Sequence, residues 1–151
     1  MIYYLSFTVF ILDRLLKLLV SVNLDYGESV RLLPFLNITY LHNTGIAFSL
    51  FTGNNSLLTL VNLGVIVILI IVLVLSKRTK GLEYTAYGLI LGGAISNLWD
   101  RYFYSGVIDY IDFKVWPVFN IADSAITVGA FLIAATVFFD IVGKKKKVNL
   151  S

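Results

Sequence analysis

"LLTLVNLGVIVILIIVLVLS", residues 57–76, is a run of twenty residues built almost entirely of Leu, Ile and Val. As a helix rising about 1.5 Å per residue, it matches the roughly 30 Å hydrocarbon core of a bilayer. Working outward, three further stretches qualify as spans though none is as cleanly apolar, residues 2–20, 84–103 and 119–142. The whole chain agrees. Of its 151 residues, 58% are hydrophobic and 14% charged, against about 25% charged in soluble domains. The reading is an all-α membrane protein of four transmembrane helices. The first span lacks a basic leader and a small-residue cleavage site, and it carries charges inside its apolar run, so it reads as a retained helix.

Orientation follows from charge. Seven of the twelve basic residues fall in two clusters, Lys77-Arg78-Thr79-Lys80 after the second span and Lys144 to Lys147 after the fourth. Positive residues favour the cytoplasmic side. Both clusters are therefore expected inside, and an even number of spans places the N- and C-termini inside as well. Segments 22–56 and 104–118 then lie outside. The first alternates Phe35, Asn37, Thr39 and Leu41 and holds an Asn-Thr-Gly turn at 43–45, which predicts short strands or a hairpin on the membrane surface. This is the small extracytoplasmic β-structured platform and loop. No repeat, low-complexity tract or linker divides the chain, so residues 1–151 read as one membrane domain.

Charges inside spans are costly and face protein or water rather than lipid. Along their spans, Asp13 lies about 16 Å and Lys17 about 22 Å above the inner end, with Asn97 and Asp100 about 20 and 24 Å up. Asp123 lies about 5 Å below the outer end of the fourth span. All converge on the outer part of the bilayer. Asp13 and Lys17 are four apart and pair on one helix face. Asn97, Asp100 and Arg101 form one polar patch, above a stripe of Gly88, Gly92 and Ser96 that admits a close neighbour. Snorkelling of Lys17 and Arg101 to the interface is the simpler alternative.

"VFNIADSAI", residues 118–126, sets a carboxylate at the mouth of the fourth span. Asn120 is a good N-cap, and Asp123 three positions on can bond back to it. Asp109 and Asp112 stand in an apolar alternating stretch of the preceding loop, which Pro117 keeps from simply continuing the helix, so the chain must double back. Either acid is then able to approach Asp123. Two nearby carboxylates do not both ionise cheaply, so one holds a proton while the other acts as base. Other chemistries are poorly supplied. There is no cysteine, a single histidine (His42, expected in a strand or interface), no Gly-rich phosphate loop and no G-x-S-x-G elbow. No metal site and no cofactor are expected, and the charge of +3 is too small and too localised for nucleic acid.

"LDRLLK" (12–17), "HNTGIAFS" (42–49), "GGAISNLWDR" (92–101), "GVIDYIDF" (106–113) and "FNIAD" (119–123) follow one another in order. Together they resemble the bacterial lipoprotein signal peptidases, signal peptidase II, over nearly the whole chain. The resemblance implies an intramembrane aspartyl endopeptidase of the bacterial cytoplasmic membrane, with its active site near the extracytoplasmic face. Its substrate would be a prolipoprotein, cut before a diacylglyceryl-modified cysteine, and membrane lipid would be its other partner; a monomer suffices. By motif the catalytic pair maps onto Asp109, in preference to Asp112, and Asp123. Asp13, Lys17, Asn43, Gly45, Asn97, Asp100, Arg101 and Asn120 map as supporting residues. Ser96 stands where Gly is common, and Tyr110 where Phe is common. Asp123, in a helix's first turn, is expected as the initial base and Asp109 as the protonated partner. Asp100 and Arg101 are expected to brace the outer end of the third span. Two other classes fit less well. A transporter would place its polar groups near the midplane between repeated halves, and an assembly subunit would use them only as helix glue.

Overall fold

The computed structural model describes residues 1–45, 55–75 and 81–148, the last six of them by backbone alone. The cluster Lys77-Arg78-Thr79-Lys80 and residues 46–49 of "HNTGIAFS" lie outside the described residues. Within them the chain forms four helices, α1 (Ile2–Asn23), α2 (Asn55–Leu75), α3 (Leu82–Tyr104) and α4 (Ile121–Val148), and three strands, β1 (Ser29–Leu33), β2 (Leu36–Asn43) and β3 (Val107–Asp112). Each expected span corresponds to a helix, the second described as far as Leu75 and the fourth beginning at Ile121 rather than at residue 119. α1 runs on to Asn23, and α4 continues past residue 142 through the Lys144 to Lys147 run.

α2 and the Ile121–Val142 part of α4 are long and apolar enough to cross a membrane. Only 17% and 11% of their most apolar windows are buried in the protein. Leu60, Ile68 and Val74 of α2 and Phe131, Phe138 and Phe139 of α4 are exposed, a surface that lipid tolerates and water does not. α1 and α3 carry more charge, and they turn it inward. Asp13 and Lys17 of α1 and Asp100 of α3 are fully buried.

α3 is the central helix, packed against α1, α2 and α4. The small-residue stripe makes this possible. A Cβ on Gly92 would meet the Ser6 carbonyl oxygen of α1 at 2.5 Å and Val9 Cβ at 2.9 Å. Gly129 of α4 sits as tightly, with a Cβ there only 2.7 Å from the Ala86 carbonyl oxygen of α3. Close backbone approach is how helices gain packing energy without a hydrophobic driving force between them. Ser6 adds a hydroxyl bond to the Gly88 carbonyl at 3.0 Å.

The strands form one antiparallel sheet in the order β1-β2-β3. The hairpin turn falls at Pro34-Phe35, between paired Leu33 and Leu36, rather than at Asn43-Thr44-Gly45. That second turn instead ends β2, its Gly45 N–H donating to Asn43 Oδ1 at 2.9 Å. Residues 107–112, expected as loop, are a strand because the free edge of β2 is there to pair with them, Asn43 facing Val107 and Leu41 facing Asp109. The register shifts between Ile38 and Leu41, where three residues of β2 step past two of β3. The underside of β3 seals the sheet to the helices. Val20, Ile108 and Tyr110 form a buried cluster with Leu16, Leu24, Ile38 and Ile121 around it.

Candidate active site

Beyond β3 the chain doubles back, as expected. Phe119 pairs with Ile111, its N–H donating to the Ile111 carbonyl at 3.1 Å while Ile111 N–H donates to the Phe119 carbonyl at 2.7 Å. This reversal sets the start of α4 beside β3. Asp109 and Asp123 then line one cavity of about 560 Å³, together with Asn43, Gly45, Arg101 and an apolar wall of Trp116, Pro117, Val118 and Phe119. Asp109 is 2% exposed.

Asn120 connects the two acids. As the N-cap of α4, its Oδ1 accepts the Asp123 N–H at 2.8 Å. A backbone N–H can only donate, so this bond fixes which way the amide is turned. Its Nδ2 is thereby directed to Asp109 Oδ1 at 2.7 Å and the Ile108 carbonyl at 3.2 Å. On its other oxygen, Asp109 accepts from Asn43 Nδ2 at 2.8 Å. The Asp123 carboxylate reaches across to α3, accepting from Asn97 Nδ2 at 2.7 Å, where the sequence predicts a bond back onto the cap. Asn97 is oriented in turn, because its Oδ1 accepts from Lys17 Nζ at 3.0 Å.

Behind the cavity lies an ionic cluster. Lys17 Nζ contacts Asp13 Oδ2 at 2.6 Å and Asp100 Oδ2 at 2.7 Å. The expected Asp13–Lys17 pairing is present, and Lys17 is buried rather than snorkelling. Asp100, near the outer end of α3, turns toward α1. It pairs with Arg14 and Lys17 and accepts the Ile108 N–H at 3.2 Å. Adjacent residues on a helix point about 100° apart, so Arg101 faces the cavity instead, its Nη1 donating to Asn55 Oδ1 at 3.3 Å. Asn55 returns a bond to the Arg101 carbonyl at 3.2 Å. Asp112 points elsewhere, accepting from Thr39 Oγ1 at 3.0 Å and from Lys114 N–H at 2.7 Å. His42 is a strand residue bonded to the Tyr40 hydroxyl at 2.9 Å. Among the described residues, no group of His, Cys, Asp or Glu is placed to hold a metal ion.

Electrostatics favour a proton on Asp109. Burial pushes its carboxyl up to about 7, and the negative charge of Asp123 adds to the rise. The bonds from Asn43 and Asn120 oppose it, as does the Lys17 charge. Desolvation wins because a carboxylate without bulk water loses more than two amide donors return.

A model of the family described as signal peptidase (SPase) II matches residues 5–139. The chain belongs to the signal peptidase II family. It is thus a peptidase of the aspartic class. Among similar proteins, the lipoprotein signal peptidase of Syntrophomonas wolfei is 45% identical, covering 93% of each chain. That of Serratia marcescens is 42% identical over 91% of this chain and 82% of its own. A bacterial membrane enzyme solved by the in meso method at 2.3 Å superposes with a TM-score of 0.87 at 28% identity, over 93% of this chain and 89% of that one. An aspartic peptidase needs two carboxylates at one place, and in the signal peptidase II chain described here Asp109 and Asp123 share a cavity.

Arg14, Asn55 and the Tyr110 hydroxyl make contacts the sequence does not announce. Arg14 and its partner Asp100 are 86 residues apart, and Asn55 and Arg101 are 46 apart. The one local signal for Arg14 is its place between two charged residues of α1 that prove buried.

Proposed function

We propose that Asp109 and Asp123 are the catalytic pair of this peptidase, which removes signal peptides from prolipoproteins. The observation that carries the assignment is their common cavity, with one amide, Asn120, bonded to the Asp109 side chain and to the Asp123 backbone. Asp109, raised toward neutrality, holds the proton; Asp123 takes one from water as it attacks the scissile carbonyl. The proton on Asp109 then passes to the leaving amine. Asn43, Asn97 and Asn120 orient the carboxylates, Gly45 and Arg101 form the cavity wall, and the cluster of Asp13, Lys17 and Asp100 holds α1, α3 and β3 together behind it. The apolar wall from Trp116 to Phe119 suits the hydrophobic end of a signal peptide.

In the finer reading, all four helices span the bacterial cytoplasmic membrane with both termini inside, as one domain. The sheet and the cavity lie near the extracytoplasmic face, and the cut falls before a diacylglyceryl-modified cysteine. The test is purified protein with a diacylglyceryl-modified prolipoprotein, read as a gel shift. Wild type is expected to cleave, and Asp109→Asn and Asp123→Asn to be inactive. Normal cleavage by either variant overturns the assignment.

A further inference from the structure

The face of β3 opposite the cavity carries a second set of contacts to α4. Tyr110 follows Asp109 directly, and its side chain is buried, 3% exposed, beneath the strand. Its hydroxyl accepts the Ile121 N–H at 3.2 Å and donates to Asp13 Oδ1 at 3.3 Å. The same Asp13 oxygen accepts the Ala122 N–H at 3.1 Å. Ile121 and Ala122 are the first two residues of α4, and the next is Asp123. The first N–H groups of a helix have no intrahelical acceptor. Here one is met by a phenol from the strand that carries Asp109, and the next by a carboxylate from α1. Burial and the Asp13 charge both push the phenol above its ordinary range, so it remains a donor.

We propose that Tyr110 is a positioning residue for the catalytic pair: its hydroxyl ties the strand bearing Asp109 to the helical turn bearing Asp123. Asn120 makes the corresponding tie on the cavity side. The two acids are thus held from both faces of β3, and their separation is set by short covalent paths, one residue from Asp109 to Tyr110 and two from Ile121 to Asp123. Ser96 is the internal control. Its hydroxyl donates to the other Asp13 oxygen at 2.6 Å, so it belongs to the same buried network, and its hydrogen bond runs to α1 rather than to the first turn of α4. Ser96 and Tyr110 thus each place a hydroxyl on Asp13, one on either carboxylate oxygen.

The inference rests on the assignment of Asp109 and Asp123 as the pair. The experiment compares wild type, Tyr110→Phe and Ser96→Ala, each purified and checked by thermal unfolding, for kcat, KM and pH–rate profile on a diacylglyceryl-modified prolipoprotein. Tyr110→Phe keeps the ring and loses only the hydroxyl. It is expected to lower kcat about tenfold with KM within about twofold, the signature of lost transition-state alignment. Its two apparent pKa values should also move closer together, since slackening the pair weakens the repulsion that separates them. Ser96→Ala is expected to lower the unfolding temperature while leaving the spacing of those pKa values as in wild type. A folded Tyr110→Phe enzyme with wild-type kcat and pH profile overturns the inference, as does an equal shift of the profile in Ser96→Ala. Either result leaves the pair itself in place, which fails only if Asp109→Asn or Asp123→Asn cleaves normally.

Discussion

Asn120 Oδ1 accepts the Asp123 N–H at 2.8 Å while its Nδ2 donates to Asp109 Oδ1 at 2.7 Å. One side chain thus caps α4 and holds a carboxylate on β3. The two jobs separate on substitution. Aspartate is as good an N-cap as asparagine, but Asn120→Asp replaces the donor facing Asp109 with a third carboxylate. Cleavage should fall at least about 100-fold, the scale of a misplaced acid or base, measured by single-turnover gel assay. Retention of more than a tenth of the activity would show that the Asp109 contact is dispensable.

The raised carboxyl of Asp109 sets two pH effects. Its proton, held until about pH 7, is the one donated to the leaving group, so kcat should decline as pH rises through that value. Stability moves the same way. Between the ordinary carboxyl value of 3.8 and about 7, the folded state binds more protons at this site than the unfolded state, so its stability falls as pH rises through the window. Asp109→Asn removes the effect. The unfolding temperature of the variant relative to wild type should therefore climb from pH 4 to pH 8, measured in detergent. A flat or falling difference contradicts a protonated Asp109.

Lys17 is fully buried between two buried carboxylates. Lys17→Met leaves Asp13 and Asp100 with only the partly exposed Arg14 as counter-charge. Removing one partner of a buried ionic cluster costs about 3–5 kcal/mol. Little folded protein should survive extraction. Adding Asp100→Asn restores charge balance and should recover part of the loss, giving a favourable coupling in the double-mutant cycle. Strict additivity of the two changes would refute the cluster's role.

Gly92 and Gly64 offer a paired test of packing. A Cβ on Gly92 meets the Ser6 backbone at 2.5 Å, whereas one on Gly64 of α2 meets nothing within 4 Å. Gly92→Ala should cost about 1–3 kcal/mol through overpacking. Gly64→Ala should be neutral or gain up to about 1 kcal/mol of helix propensity. Thermal unfolding of both in one detergent decides, and equal effects would mean α1 and α3 are not in contact as described.

Hydrophobic content is a local property, and the sequence by itself determined what depends on it. Residues 57–76 need no partner to read as a helix in lipid, and the four helices stand where the apolar runs are. Asn120 as a cap of α4 is also local, because the cap and the N–H it satisfies are three residues apart. The Asp13–Lys17 pair follows from helix periodicity alone.

What tertiary structure decided involves partners far apart in sequence. Asp109 and Asp112 are alike as residues; only the pairing of β3 with β2 turns Asp109 into the cavity and Asp112 toward Thr39. Asp100 and Arg101 look like one patch until α1 arrives with Arg14 and Lys17 and takes Asp100 away. β3 reads as loop until β2 offers an open edge. Periodicity says which way a side chain points, but a hydrogen bond needs a donor within about 3 Å. Which donor comes that close is set by how the helices and the sheet pack together.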